Sequence, residues 1–296
     1  MAEELEREGL RVALISADSR QVFRGFDIGT DKLPAAVLAA YPHAGIDVVE
    51  ADQPFTLYDW LDVARKAASI SSDGRVPDIA ICVGGTGLYH RGLLRGFLKG
   101  GARPHDPVLR AKLERELAEE GREHIERQLR GLNAAAADAV ATASPRRVLR
   151  ALEIAQLGGD STVIEEEPWR GSSAYVLLDE TDLNMHKTKI AERTVNQFKS
   201  GLVLEAEALA ARLPLETPAL SGIGYREALQ FLAGEISEEK AITHASGRSW
   251  GYARRQRTWY RKEPITHTIR AGVERSTSQV AADLIPIART LIEQSV

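Results

Sequence analysis

The chain has 296 residues, 44% of them hydrophobic and 27% charged, with a formal net charge of −4. That composition supports one large core or a core carrying an insertion, and no run approaches the roughly 18 uninterrupted apolar residues that a membrane span requires. The acidic, helical start MAEELEREGL is unlike a secretory signal, and the single cysteine, Cys82, excludes disulfides and cysteine-ligated zinc; these features place the chain in the cytoplasm and Cys82 in the core.

In chain order, the strand signals are short apolar runs that end in loops: RVALISAD (11–18), IDVVEA (46–51), DIAICVGG (78–85) and AYVLLDE (174–180). Helix signals alternate with them, among them FTLYDWLDVARKAASI, where Thr56 and Asp59 have the spacing of a capping box. Alternation of this kind predicts an α/β fold with a parallel sheet flanked by helices, and in such sheets ligands bind beyond the carboxyl ends of the strands. Two segments fall there: Asp18-Ser19-Arg20-Gln21, and Gly84-Gly85-Thr86-Gly87 with the helix Leu88 to Leu94 behind it. From Asp106 to Gly158 the strand signal vanishes and two or three helices are expected, the last opening at Ser144-Pro145. This divides the chain into a core, 1–104 with 166–296, and an all-helical insertion, 105–165. Long helices resume after Leu183, and no internal repeat is evident.

The net charge hides an uneven distribution. From Lys240 to Lys262 the chain carries seven Lys or Arg, two Trp, two Tyr and no acidic residue. Within it, Arg254-Arg255-Gln256-Arg257-Thr258-Trp259-Tyr260-Arg261 interleaves guanidinium groups with aromatic faces, which suits both a phosphate backbone and an unstacked base. The plainer reading is an Arg-rich helix with Trp259 turned into the core, and the two are compatible. Arg146 and Arg150 share a helix face, as do Arg147 and Arg150 and, on a later helix, Lys189 and Arg193, and taken alone a solvated charged face is the favoured reading of either group. A carboxylate such as Asp18 at a strand end can take a proton from a nucleophile or can simply cap a turn. The glycines of Gly84 to Gly87 let a backbone approach a ligand and direct the Thr86 hydroxyl toward it, although glycine turns between strand and helix are common.

Taken together, seven segments in order resemble the tRNA dimethylallyltransferases, also called tRNA isopentenyltransferases: SADSRQVFRGFDIGTDK, PHAGIDVVEADQPFT, VGGTGLYHRGLLRG, PRRVLRALEI, K-I-x-x-R followed by GLVLEAEAL, SGIGYREALQFLAGEIS and YARRQRTWYRK. The resemblance implies a phosphate-loop-kinase-like sheet and transfer of a dimethylallyl group from dimethylallyl diphosphate to the exocyclic N6 amine of an adenosine beside the tRNA anticodon. It makes Asp18 the general base on that amine, Thr86 a group that places the reactants, and Arg193 the cation facing the diphosphate, with Mg²⁺ as cofactor. It makes Asp18, Ser19, Arg20 and Gln21, then Arg110, Arg146, Arg147 and Arg150, then Gly222, Gly224, Tyr225 and Arg226, and finally Arg254, Arg255, Gln256, Arg257, Trp259 and Arg261 the tRNA-facing positions. The partners expected are thus the tRNA anticodon stem-loop and dimethylallyl diphosphate, with no membrane and a monomeric protein.

The family opens with a strand and a loop of the type G-P-T-A-S-G-K-T, which holds the diphosphate and Mg²⁺; Met1 to Leu5 align with the helix after it. We expect a truncated record or misassigned start, with activity of the chain as written in doubt and an apolar slot where the first strand belongs. Smaller departures are His43-Ala44 for the family's paired histidines, Gln197 for its methionine, and a bland 132–144 segment. The competing readings are an adenylate isopentenyltransferase acting on a free nucleotide, a small-molecule phosphate-loop kinase, and a non-catalytic tRNA-binding derivative.

Overall fold

The computed structural model describes residues 1–69, 75–97, 105–162, 168–169, 171–272 and 275–294. The chain divides into a larger unit, Met1–Leu93 with Arg170–Val296, and a smaller one, Leu94–Trp169. The boundaries expected at 104/105 and 165/166 involve positions outside the described residues.

In the larger unit, α1 (Ala2–Arg7) leads into β1 (Val12–Ser16), α2 (Ala35–Ala40), β2 (His43–Ala44), α3 (Leu57–Ser69) and β3 (Ile79–Val83), with α4 (Gly87–Arg95) starting after the glycine turn. The strands pair in parallel in the order β2-β1-β3, with Ile15 opposite both Ala44 and Cys82. The α3 start forms as its spacing predicts: Asp59 accepts from the Thr56 amide at 2.8 Å, and Thr56 Oγ1 from the Asp59 amide at 3.4 Å. Trp60, fully buried on α3, donates to Ser16 O at 2.9 Å and stacks on Tyr89 of α4. The end of β1 is thereby fixed against the helices.

The strand expected over 46–51 does not form. Gly45 and Asp47 both have positive φ, which breaks the extended run, and the amides of Val48 and Val49 turn back to Val22 O. Pairing moves upstream to His43–Ala44, leaving one isolated bridge, Phe23 with Val49.

The smaller unit is helical: α5 (Pro107–Glu120), α6 (Arg122–Leu132), α7 (Ala134–Val140) and α8 (Pro145–Gln156) pack around Leu113, Ile125, Leu129, Val148, Leu149 and Leu152. Four helices replace the expected two or three, because Asn133 accepts from the Ala136 amide at 2.9 Å and caps the alanine-rich segment as a helix of its own.

The chain returns to the larger unit with β4 (Val176–Asp179), α9 (Leu183–Lys199), α10 (Leu202–Ala210), a 3₁₀ turn (Pro218–Ser221), α11 (Tyr225–Leu232), α12 (Glu238–Tyr260), β5 (His267–Arg270) and α13 (Thr277–Glu293). Its core gathers Phe26, Phe198, Leu202, Ala206, Leu209, Leu220, Tyr225 and Ala245. The β5 strand gave no clear sequence signal, since Ile269 is its one buried residue. It pairs in parallel with β4 as a second, separate sheet. On the first sheet β3 pairs with β1 alone among the described residues, and Val83 at its end is 60% exposed.

Candidate active site

The first two segments singled out in the sequence meet where β1 and β3 end. Ala17 N donates to Val83 O at 2.7 Å and Thr86 N to Ala17 O at 3.0 Å, so the two loops cross in direct backbone contact. A Cβ on Gly84 would lie 2.3 Å from Ala17 O, so a side chain there would push the loops apart. The Thr86 Oγ1 accepts from the Ser19 amide at 3.0 Å and lies 3.3 Å from the Ser19 hydroxyl. Asp18 Oδ1 accepts from the amides of Arg20 at 2.7 Å and Gln21 at 3.4 Å. The carboxylate therefore does cap a turn, but through one oxygen; Oδ2 accepts no bond among the described residues. Arg20 is exposed, with one nitrogen 3.5 Å from Pro218 O. Gln21 is committed internally: it accepts from the Ser16 hydroxyl and donates to Thr30 O.

The basic helix α12 closes over the glycine turn. Gln256 Nε2 donates to Gly85 O at 2.9 Å, and the Trp259 indole packs so tightly that a Cβ on Gly87 would lie 2.3 Å from its Nε1. Arg91 stacks on Trp259, 4.1 Å from the ring centroid, and pairs with the nearly buried Glu263. Trp259 and Gln256 thus face inward, while Arg254, Arg255 and Arg261 are exposed. Arg257 is held by Asp179 at 2.9 Å and Glu180 O at 2.8 Å, which fastens α12 to the end of β4. Tyr252, which sequence reasoning missed, reaches the same turn, its hydroxyl 3.4 Å from Gly85 O and within reach of Thr86. Burial, and then the Asp18 charge, push its phenol above the ordinary range; burial with the charges of Asp18 and Asp59 pushes Tyr89 up to about 12. Cys82 is raised to about 12 by burial, as suits a packing residue rather than a nucleophile.

Below this turn, Glu205 of α10 anchors the loop that continues from Gln21. Its carboxylate accepts from the amides of Asp27, Ile28 and Gly29 and from the Tyr225 hydroxyl at 2.6 Å. Lys32, with 3% of its side chain exposed, donates to Phe23 O and is paired with Asp27 and Asp47. These buried ties hold the loop, and their signal in the sequence was limited to the run DIGTDK. Arg193 is half-exposed on α9, 3.9 Å from Asp31, beside an open cleft of about 630 Å³ that Lys189, Glu192, Asn196 and Gln197 also line. The structure brings it to that loop and gives it no contact with Asp18 or Thr86 among the described residues.

Of the Gly222 to Arg226 group only Arg226 presents a side chain to solvent. Tyr225 corrects the expectation of an RNA-facing residue: it is 2% exposed and spends its hydroxyl on Glu205, because the short helix α11 must bury an apolar face against Leu202 and Phe26. Gly224 has φ +91°, which favours glycine, and Glu227 accepts from its amide at 2.8 Å.

In the smaller unit, Arg146 and Arg147 are exposed on the first turn of α8. Arg110 and Arg150 instead converge on Glu153, a fully buried carboxylate, at 3.5 and 2.7 Å; His105 also donates to it. Burial raises the Glu153 pKa, and the bonds from Arg150 and His105 more than offset this, so the carboxyl stays below its ordinary value. Among the described residues no group of three or more His, Cys, Asp or Glu side chains is placed to hold a metal ion.

A family model described as IPP transferase matches residues 21–263. A tRNA dimethylallyltransferase of Anaeromyxobacter dehalogenans is 40% identical over 255 residues, covering 84% of this chain and 83% of its own. The crystal structure of the full-length tRNA isopentenylpyrophosphate transferase of Bacillus halodurans superposes with a TM-score of 0.67 at 28% identity, covering 99% of this chain and 92% of that one. A eukaryotic dimethylallyltransferase acting on tRNA shares the fold at a TM-score of 0.72 and 18% identity, covering 99% of this chain and 76% of that one. The helix-rich α/β architecture and the extent of these matches agree: the chain belongs to the IPP transferase family, among the tRNA dimethylallyltransferases.

Proposed function

We propose that the chain transfers a dimethylallyl group from dimethylallyl diphosphate to the N6 amine of an adenosine next to the tRNA anticodon, acting as a cytoplasmic monomer, with Mg²⁺ accompanying the diphosphate, whose oxygens are its usual ligands. The observation that carries this reading is the crossing of two loops where two parallel strands end, with Asp18 one residue before Ser19, whose amide donates to Thr86 Oγ1, and with its own Oδ1 capping the turn. An aromatic amine is a poor nucleophile. A carboxylate that takes its proton as the carbon–nitrogen bond forms, and the carbon–oxygen bond to diphosphate breaks, contributes about 10²–10⁴ in rate. Asp18 Oδ2 is the atom for that proton, since Oδ1 is spent on the turn. Ser19 and Thr86 fix the loops so that this oxygen keeps its place. Arg193 is the proposed cation for the leaving diphosphate. The exposed arginines Arg20, Arg146, Arg147, Arg226, Arg254, Arg255 and Arg261 supply phosphate contacts.

The test is prenyl transfer from radiolabelled dimethylallyl diphosphate to unmodified tRNA with Mg²⁺, beside a tRNA carrying guanosine in place of the acceptor adenosine. Label on the first tRNA alone supports the proposal. Binding of tRNA without transfer overturns the catalytic half and leaves a tRNA-binding derivative; transfer to free adenosine monophosphate but not tRNA replaces the acceptor.

A further inference from the structure

An adenine that presents its amine to Asp18 has left the base stack, and the stacking it gives up, a few kcal/mol per step, must be recovered on a protein surface. The aromatic rings around the Gly84 to Gly87 turn are therefore the place to look. Trp60 is fully buried, Tyr89 is 6% exposed with its ring stacked on Trp60, and Trp259 carries the Arg91 guanidinium on its ring. None of these offers a free face. Tyr252 is the most open of the rings, 40% exposed, and the guanidinium over it, that of Arg255, belongs to an exposed side chain and stands 5.8 Å from the centroid against 4.1 Å for Arg91 on Trp259.

Its setting is built, since Tyr252, Gln256 and Trp259 are spaced i, i+4, i+7 on α12 and form one stripe facing the turn. The lower two members close on Gly85 and Gly87 and leave no room for a ligand. The Tyr252 hydroxyl is tucked toward Gly85 O and Thr86, which pins the tip of the ring beside the residue that holds Ser19, the neighbour of Asp18 in the chain. The ring is partly open to solvent, and the guanidinium of the exposed Arg255 lies over it, 5.8 Å from its centroid. A planar aromatic face with a guanidinium beside it, anchored at the mouth of a carboxylate site, suits an unstacked base and its phosphate.

We propose that Tyr252 is the stacking platform for the extruded acceptor base, a positioning residue that acts through its ring face while its hydroxyl serves as the anchor. This rests on the tRNA-modifying reading above and adds to it the surface that receives the base.

The experiment uses an anticodon stem-loop with 2-aminopurine in place of the acceptor adenine, whose fluorescence is quenched by stacking, and measures affinity in parallel by anisotropy. The wild-type chain is expected to bind and quench. Tyr252→Phe keeps the ring face and is expected to do the same; Tyr252→Ala is expected to lose the quench and bind about 5- to 150-fold more weakly, the range for loss of one base stack. Tyr252→Leu keeps apolar bulk without the π face and should follow the alanine variant. Should the alanine variant fail to fold, the comparison of leucine with phenylalanine decides alone. Wild-type quenching in the leucine or alanine variant overturns this inference and leaves the proposed function standing, whereas a wild-type chain that does not bind the stem-loop overturns both.

Discussion

Asp18 divides its two carboxylate oxygens between architecture and chemistry, and that division decides which substitution is informative. Oδ1 accepts from the Arg20 and Gln21 amides, so Asp18→Ala would remove a turn cap worth about 1 kcal/mol together with any catalytic role. Asp18→Asn keeps the acceptor at Oδ1 and removes only the basicity. We predict that the asparagine variant binds the anticodon stem-loop within a fewfold of the wild type while kcat for prenyl transfer falls by about 10²–10⁴. Equal losses in affinity and rate would mark Asp18 as a binding or turn residue instead. That Asp18 can cap a turn, and that its segment and the Thr86 turn both lie beyond strand ends, was visible in the sequence, because each follows a strand by one short step. What the sequence could not show is which neighbours are spent: Gln21, Gln256 and Tyr225 look like polar groups available to a ligand, yet each donates to or accepts from the protein itself. Those partners are distant in the chain, and a residue's own identity carries no trace of them.

At the scale of the helix, arginines of identical sequence character divide by what lies under them. On α8, Arg146 and Arg147 stand on the exposed first turn, whereas Arg150, one turn later, is drawn with Arg110 to the buried Glu153. Removing either exposed arginine takes away one phosphate contact, so Arg146→Ala or Arg147→Ala should weaken tRNA binding and reduce the log–log salt slope by about 1, with an unchanged unfolding midpoint. Arg110→Ala should behave the opposite way, lowering the unfolding free energy by about 1–3 kcal/mol and the urea midpoint with it, because it strips one of three partners from a fully buried carboxylate that Arg150 and His105 still hold. Salt-titrated binding and denaturant unfolding on the same variants separate the two classes. A common response in all three would show that Glu153 does not sort them. The helices were the most legible elements, since the Thr56–Asp59 cap and long apolar periodicity are local signals, whereas the Asn133 cap lay in a bland alanine-rich segment and its helix was not expected. Strands were less so: 46–51 looked extended until Gly45 and Asp47 took positive φ, and β5 has a single buried residue to announce it.

For the molecule as a whole, two features of the sheets set how it behaves in solution. The first is the tie between strand starts: Asp78, just before β3, accepts from the amide, Nε and Nη2 of Arg11, just before β1, at 2.8 to 3.0 Å. This lowers the Asp78 pKa from an ordinary 3.8 to about 2. A carboxylate whose folded pKa is depressed adds stability above its unfolded pKa and loses it as pH falls toward the folded one, so the contribution is complete at neutral pH and fades between about 4 and 2. Asp78→Asn should therefore lower the urea midpoint at pH 7 and match the wild type near pH 2; a constant difference across that window would refute the linkage. The second feature is the open edge. Because β4 and β5 form their own sheet, the β3 ladder stops at β1 among the described residues, with Val83 60% exposed at its end and Leu178 46% exposed on β4. Unpaired strand edges that carry apolar side chains template association with other chains. Val83→Thr keeps the β-branched shape that the strand conformation favours and replaces apolar surface with a hydroxyl. It should reduce concentration-dependent light scattering without shifting the thermal midpoint, since the side chain loses little burial. If scattering is unchanged in Val83→Thr, the open edge of β3 is not where copies of this chain meet, and Leu178→Thr tests the corresponding position on β4.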